Sequence, residues 1–131
     1  MILDTNAVSA LAVGSEALVT VLGGGGSKPV VDVLAIPVIV LGEFEFGIAR
    51  SRHRARYRRW LERLVEVANV LDIDQRTAAH YATIREKLRA RGRPIPSNDT
   101  WIAALALQHD LRIVSRDAHF DEVDDVRRVA W

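Results

Sequence analysis

The feature that most constrains the fold is an alternation of short apolar runs with longer segments of helical periodicity. The apolar runs are residues 1–3, 33–37, 70–71 and 113–114. Continuous apolar strands separated by helices are typical of a parallel sheet that is covered on both faces. The alternation therefore predicts one α/β domain over residues 1–131, with four to five short and mostly parallel strands. The fifth strand is expected within residues 126–129.

Helices are expected between these strands, with polar residues at their starts. The predicted helices cover residues 5–13, 16–22, 38–50, 53–68, 75–92 and 99–109. The predicted N-terminal capping residues are Thr5 or Asn6, Ser15, Asp74 and Ser97. The glycine run after the second helix is not a phosphate loop, because Ser27 rather than glycine precedes Lys28 and Pro29 follows it. We interpret residues 23–29 as a flexible connector.

The composition excludes several classes of site. The chain has no cysteine, which excludes disulfides, thiol catalysis and zinc–thiolate sites. No apolar run approaches the ~20 residues that span a bilayer, and no basic leader precedes Asp4. These features predict a cytoplasmic protein that has no membrane partner.

The net charge of +1 conceals one strongly basic segment. Residues 50–63 contain seven arginines and a single acid, Glu62. Helical spacing predicts one basic face and one apolar face for this segment. The basic face comprises Arg52, Arg56, Arg59 and Arg63, and the apolar face comprises Tyr57, Leu61, Leu64 and Ala68. Solvent, an acidic protein partner and a phosphate backbone all remain possible occupants of the basic face.

Four acids stand where the predicted strands end or the following helices begin. They are Asp4, Glu43, Asp99 and Asp117. Individually, Asp99 could be a helix-dipole residue, Asp117 a turn residue and Glu43 a solvated residue. Asp4 differs, because an acid directly after an apolar strand is poorly placed for solvent. The carboxyl ends of parallel strands lie at one edge of a sheet, however, so we expect the four side chains to approach one another.

A cluster of four carboxylates requires compensation. Two charges ~6 Å apart repel by roughly 3 kcal/mol at an effective dielectric of ~20, so protons or a cation must offset the cluster. The histidines are scattered along the sequence at positions 53, 80, 109 and 119. We therefore expect an all-oxygen ligand set, which suits Mg²⁺ or Mn²⁺.

Four segments containing these acids resemble, in order and spacing, the motifs of PIN-domain nucleases. The segments are Leu3-Asp4-Thr5-Asn6, Glu43-Phe44-Glu45-Phe46-Gly47, Asn98-Asp99-Thr100-Trp101-Ile102-Ala103-Ala104 and Ser115-Arg116-Asp117-Ala118-His119-Phe120. Phe44 occupies a position that is leucine in the family pattern. The resemblance spans essentially the whole chain, whose length is typical of VapC-like toxins of toxin–antitoxin pairs.

The resemblance implies a three-layer α/β/α fold and Mg²⁺- or Mn²⁺-dependent cleavage of RNA. It implies that Asp4, Glu43, Asp99 and Asp117 hold the metal, supported by the polar groups of Thr5, Asn6 and Ser115. Glu45 is assigned no catalytic role, because it lies on another face of its helix. Water is the expected nucleophile, and the expected products carry 5′-phosphate and 3′-hydroxyl ends.

The resemblance also implies an antitoxin partner that covers the acidic site, and a homodimer. Apolar residues of the early helices are candidates for these surfaces, with core packing as the alternative for each. They are Val8, Leu11, Phe44, Phe46 and Ile48.

Two other functions remain open at this point. A PIN-like module could bind RNA without cleaving it, although such a module would normally have lost one of the acids. A haloacid-dehalogenase-like phosphatase would need a second aspartate two residues after the first, where this chain has Asn6.

Overall fold

The computed structural model describes residues 1–23 and 33–131, which form a parallel sheet flanked by helices. The strands are β1 (Ile2–Leu3), β2 (Ala35–Pro37), β3 (Asn69–Leu71), β4 (Ile113–Val114) and β5 (Arg128–Val129). Every pairing is parallel, and the strand order is β3-β2-β1-β4-β5. The predicted α/β fold with short parallel strands is confirmed.

The helices lie in two layers, one on each face of the sheet. They are α1 (Thr5–Ala12), α2 (Glu16–Leu22), α3 (Val38–Ala49), α4 (Arg54–Val67), α5 (Gln75–Ala90) and α6 (Ser97–His109). Right-handed crossovers place α1 to α4 on one face and α5 and α6 on the other. The packing agrees, since α1 contacts α3 and α4 whereas α5 packs along α6. Among the described residues no single helix is long and apolar enough to cross a membrane; α1 and α2 meet that criterion only together, as a pair bent by 116°.

The core is built around the two central strands. Ile2, Leu3, Ile113 and Val114 are all 0% exposed, which explains why both strands are uninterrupted apolar runs. The residues of α6 from 102 to 106 are also buried between the sheet and α5. The edge strands β3 and β5 are less completely covered.

Two helix starts differ from their predictions. Asp4, rather than Thr5 or Asn6, caps α1, because its side chain accepts the backbone N–H of Ala7. Helix α6 begins at Ser97 itself, directly after Pro96, and has no side-chain cap. The predicted caps at Ser15 and Asp74 are confirmed, and residues 24–29 of the predicted glycine connector lie outside the described residues.

Most of the apolar residues proposed as partner surfaces on the early helices belong to the core. Val8, Phe44 and Ile48 are buried, so core packing is the correct interpretation for them. Phe44 packs edge-on against Tyr57 at 6.4 Å between ring centroids and thereby joins α3 to α4. Phe46, on the opposite side of α3, is 66% exposed and remains available to a partner.

Candidate metal-binding active site

The site forms where the strand order reverses. Starting from β1, the chain builds the sheet outward through β2 and β3 and then returns to the other side of β1 with β4 and β5. In such sheets, ligands bind beyond the carboxyl ends of the two strands at the reversal. Those strands are β1 and β4, which end immediately before Asp4 and Ser115.

Asp4 is the most buried acid of the site, with 4% of its surface exposed. One carboxylate oxygen accepts the Ala7 N–H at 2.7 Å, and the other accepts a short hydrogen bond from the Ser115 hydroxyl. The Ser115 oxygen in turn accepts the N–H of Asp117 at 2.8 Å. These contacts join the ends of β1 and β4 and fix the orientation of Asp4.

The pKa of Asp4 is raised, chiefly because burial penalises its charged form. Hydrogen bonds from Ser115 and Ala7 lower this pKa, whereas the charges of Asp99 and Asp117 raise it further. The carboxylate is thus held in one orientation, and no positively charged group among the described residues compensates its charge.

Asp99 and Asp117 meet at the side chain of His119. The His119 Nδ1 atom lies 3.1 Å from Asp99 Oδ2 and 3.0 Å from Asp117 Oδ1. Burial raises the pKa of Asp99, the His119 hydrogen bond lowers it, and the charges of Asp117 and Glu43 raise it. Each of the three residues offers one ligand atom within 4.8 Å of the other two.

His119 was not predicted from the sequence, where the four histidines are scattered. It belongs to a 3₁₀ helix, Ala118–Glu122, that the sequence did not reveal, and Asp117 caps this helix by accepting the His119 N–H. The signal that could have found it is an Asp-x-His spacing directly after a strand end. The expected all-oxygen set therefore has an imidazole nitrogen within reach.

Glu43 is held at the rim of the site by two neighbouring elements. Thr5 of α1 donates a short hydroxyl hydrogen bond to Glu43 Oε2, and the Asn98 side-chain amide of α6 donates to Oε1 at 2.7 Å. Asn98 directly precedes Asp99, and the charge of Glu43 raises the pKa of Asp99, so Glu43 lies on the Asp99 side of the site. Asn98 is a further site residue that was not predicted, although it stands beside Asp99 in the quoted motif.

Asn6, predicted as a supporting residue, is exposed on α1 beside the site and has no hydrogen bond to its acids within the described residues. Glu45, which was expected to have no catalytic role, is exposed, and its Oε2 atom lies 3.8 Å from the Arg58 guanidinium of α4.

Two grooves of different character flank the acidic cluster. One, of about 390 Å³, is lined by Thr5 and Glu43 and by apolar residues that include Phe44, Ile48 and Tyr57. The second, of about 490 Å³, is lined by polar and apolar residues together with one arginine and one aromatic ring. They are Asn6, Ser9, Ala10, Val13, Ser15, Arg116 and Trp131.

The arginine-rich segment forms an exposed surface on and before α4. Arg52 precedes the helix, which begins at Arg54, so Arg52 was wrongly placed on it. Arg56, Arg59 and Arg63 are exposed, whereas Leu61 faces the core. Within the described ranges, Arg58 alone among the arginines of residues 50–63 lies within salt-bridge distance of an acid.

The donor chemistry of the site fits a divalent cation. Two of its four carboxylates, Asp4 and Asp99, have pKa values raised by burial and by neighbouring negative charge. A bound cation would remove this unfavourable charge, and carboxylate oxygens are preferred ligands of Mg²⁺ and Mn²⁺.

Comparison with known proteins identifies related sequences and folds. The PIN domain family matches residues 1–126. Ribonuclease VapC4 of Mycobacterium tuberculosis is 32% identical over 93 residues, covering 70% of this chain and 72% of that protein. Ribonuclease VapC1 of Haemophilus influenzae strain R2866 is 30% identical over 101 residues, covering 76% of this chain and 75% of that protein.

Solved structures agree with this relationship. The structure of VapBC-1 from nontypeable Haemophilus influenzae superposes with a TM-score of 0.84 and 27% identity, covering 99% of this chain and 96% of that one. The structure of DNA-bound VapBC from Salmonella typhimurium gives a TM-score of 0.83 and 26% identity, covering 99% of this chain and 96% of that one.

Proposed function

This chain belongs to the PIN-domain family, and from that premise we propose that residues 1–131 act as one metal-dependent endoribonuclease domain, the toxin of a toxin–antitoxin pair. The observation that carries the proposal is the four-carboxylate cluster at the ends of β1 and β4. Related proteins of similar length carry the name ribonuclease, and RNA is the proposed substrate.

The proposed cofactor is Mg²⁺ or Mn²⁺. Asp4, Glu43, Asp99 and Asp117 would hold it, with His119 beside the last two. When bound, such a cation lowers the pKa of a water molecule and offsets negative charge on a phosphodiester.

The residues of this chain supply orientation around the proposed metal ligands. Ser115 and the Ala7 N–H fix both oxygens of Asp4, so that this carboxylate presents a defined face to the site. Thr5 and Asn98 do the same for Glu43. Residues that orient ligands in this way tune a metal site nearly as strongly as the ligands themselves.

The two alternative functions have weaker support. A non-catalytic RNA-binding module has no need of four clustered acids, two of them with raised pKa values. A phosphatase of the haloacid-dehalogenase type needs a second aspartate where Asn6 stands, and the Asn6 side chain is exposed beside the cluster.

The proposed partners are a cognate antitoxin and a second copy of the chain. The apolar groove lined by Phe44, Ile48 and Tyr57 is also lined by Glu43, so it suits a peptide that carries both apolar side chains and a cation. The exposed Phe46 adds apolar surface on α3. Because the substrate is RNA, the proposed site of action is the cytoplasm.

The basic surface on and before α4 is the proposed region for long-range attraction of RNA. Arg52, Arg56, Arg59 and Arg63 are exposed, and none of them lies within salt-bridge distance of a described acid. A phosphate backbone approaching four carboxylates needs such a surface nearby, because the acids alone repel it.

The direct test is cleavage of structured RNA by the purified protein. We expect cleavage in Mg²⁺ or Mn²⁺, its loss in EDTA, its recovery when the metal is restored, and products with 5′-phosphate and 3′-hydroxyl ends. RNA binding without cleavage at any metal concentration would favour the non-catalytic module. Hydrolysis of small phosphomonoesters with intact RNA would favour the phosphatase.

A further inference from the structure

The second groove, of about 490 Å³, is lined by none of the residues proposed to hold the metal. It lies between α1 and the segment that follows β4. Asn6, on one wall, is two residues after Asp4, and Arg116, on the other wall, stands between Ser115 and Asp117 in the sequence. The groove therefore adjoins the backbone segments that carry Asp4 and Asp117.

We propose that this groove binds the nucleotide adjacent to the cleaved phosphodiester of a single-stranded RNA. In this subsite, Arg116 contacts the neighbouring phosphate, and the Trp131 ring beside it supports the base. The proposal rests on the proposed ribonuclease function and adds to it a subsite built by these two residues.

Charge favours RNA in this groove rather than in the apolar one. Arg116 is exposed and lies within salt-bridge distance of no acid among the described residues, although it directly precedes Asp117. Arg128, in the neighbouring strand, is instead engaged by Asp121 at 2.6 Å. The apolar groove contains Glu43 and no lining arginine, so a phosphate there would be repelled.

The aromatic part of the groove provides a stacking surface. The Arg116 guanidinium lies 4.9 Å from the centroid of the Trp131 ring. Unpaired bases stack on aromatic rings and on arginine planes, whereas a base inside a duplex cannot reach such a surface. The Trp131 ring is half-buried and packs against the hydrophobic core, so its position is fixed, and its buried indole nitrogen has no hydrogen-bond partner in the part of the chain that the structure describes.

Binding can be measured without cleavage in an Asp99→Asn background containing Mg²⁺. The probe is a short, fluorescently labelled oligoribonucleotide of mixed sequence, single-stranded or annealed to its complement, titrated by anisotropy at several salt concentrations. We expect Arg116→Ala to weaken single-strand binding about 10-fold and to flatten the log–log salt slope by about 0.7. Trp131→Leu is expected to weaken binding similarly with the slope unchanged, because it removes stacking and no charge.

The matched control is Arg127→Ala, which removes the same charge at the amino ends of β4 and β5, where Arg127 pairs with Asp110. It should leave affinity and slope unaltered. If Trp131→Leu fails to fold, Trp131→Phe retains an aromatic face and should bind nearly as well as the parent.

The outcomes separate the two proposals. If Arg116→Ala, in an otherwise native chain, cleaves RNA normally and its Asp99→Asn counterpart binds with unchanged affinity and slope, the subsite is wrong and the ribonuclease function stands. Equal affinity for single-stranded and duplex RNA would also overturn the subsite. If the native chain neither binds nor cleaves RNA with metal present, the function fails and the subsite fails with it.

Discussion

Two sets of carboxylates in this chain have opposite electrostatic surroundings. Five acids in residues 86–124 each lie within salt-bridge distance of an arginine. The pairs are Glu86–Arg89, Asp110–Arg127, Asp121–Arg128, Glu122–Arg93 and Asp124–Arg91. Among the described residues, by contrast, no arginine lies within that distance of Asp4, Glu43, Asp99 or Asp117.

The pKa shifts follow the same division. Hydrogen bonds from their arginine partners lower the pKa values of Glu86, Asp121 and Asp124. Burial raises the pKa values of Asp4 and Asp99. A chain with abundant arginine thus leaves its central acids without an arginine partner.

Arg128 shows how close an arginine comes without neutralising the cluster. Its guanidinium donates two hydrogen bonds to Asp121, at 2.8 and 2.6 Å, and a third to the Ser115 carbonyl at 3.1 Å. It therefore supports the backbone beside the cluster. The contrast shows that these five surface acids are compensated by arginines of the same chain, whereas no arginine among the described residues pairs with an acid of the cluster.

The largest difference between the two sets should appear in RNA cleavage. We expect Asp99→Asn to lower the cleavage rate by more than about 100-fold at equal Mg²⁺. Even the removal of a residue that only orients a metal ligand lowers metal affinity or activity by about 10–100-fold. Asp124→Asn, which neutralises a paired acid, should retain near-native activity, as should Glu45→Gln. Equal losses in Asp99→Asn and Asp124→Asn would remove the distinction between the two sets.

A second difference concerns His119, whose Nδ1 atom contacts two acids of the cluster, Asp99 and Asp117. Removal of its nitrogen by His119→Ala should weaken Mn²⁺ binding by about 10-fold and Mg²⁺ binding less, because imidazole suits transition metals better than it suits Mg²⁺. Calorimetry on the protein without RNA measures both affinities. The control is His109→Ala, in the last turn of α6. An unchanged Mn²⁺ to Mg²⁺ ratio would show that His119 only contacts the two acids.

The central strands and the two acids that follow them were predictable for a shared physical reason. Ile2, Leu3, Ile113 and Val114 are fully buried, so both central strands appear in the sequence as uninterrupted apolar runs. A carboxylate that follows such a run stands out, which identified Asp4 directly and Asp117 shortly after Ile113-Val114. The metal-holding role of these acids remains a prediction from the sequence.

The errors arose where tertiary contacts decide the local structure. Asp4 caps α1 by accepting the Ala7 N–H on one carboxylate oxygen, as aspartate commonly does. Its other oxygen accepts from Ser115 across the sheet, and this contact could not be predicted from local sequence. His119 was missed because the 3₁₀ helix after Asp117 has no periodicity to detect. Phe44 and Ile48 were offered as surface residues because periodicity alone does not say which neighbour covers a helix face.

The pH dependence of stability should distinguish the two sets in metal-free protein. Because its pKa is raised by folding, Asp4 does not oppose folding below its ordinary pKa of 3.8, and it disfavours the folded state increasingly as pH rises through the raised value. Acids with lowered pKa values, such as Asp121 and Asp124, instead lose their stabilising contribution as pH falls. We therefore expect Asp4→Asn to be more stable than the native chain at pH 7 and equally stable near pH 3.

Urea unfolding in EDTA at several pH values measures this difference. An asparagine amide in place of the Asp4 carboxylate can still accept the Ala7 N–H and donate to Ser115, so Asp4→Asn preserves both hydrogen bonds. Added Mg²⁺ should stabilise the native chain more than the variant. A variant that is less stable than the native chain at pH 7 would contradict the assignment of Asp4 as an uncompensated charge.

The smallest expected effect is on the salt dependence of RNA binding, and it should differ between arginines that pair with an acid and arginines that do not. Arg56 and Arg59 on α4 are exposed and lie within salt-bridge distance of no described acid, whereas Arg91 and Arg93 are held by Asp124 and Glu122. If the unpaired arginines bind RNA phosphates, Arg56→Ala/Arg59→Ala should flatten the log–log salt dependence of single-strand binding by about 1.4, since each arginine that neutralises a phosphate adds about 0.7 to the slope. Arg91→Ala/Arg93→Ala removes the same charge and should leave the slope unchanged, because those guanidinium groups are already engaged.

The comparison is again made in the Asp99→Asn background, so that the probe stays intact. Equal flattening in both double variants would mean that RNA responds to the overall charge of the protein and not to the α4 surface. An unchanged slope in Arg56→Ala/Arg59→Ala would instead assign the α4 arginines to solvent or to the antitoxin. In that case Arg116, one residue before Asp117, would be the cation on which phosphate binding beside the cluster depends.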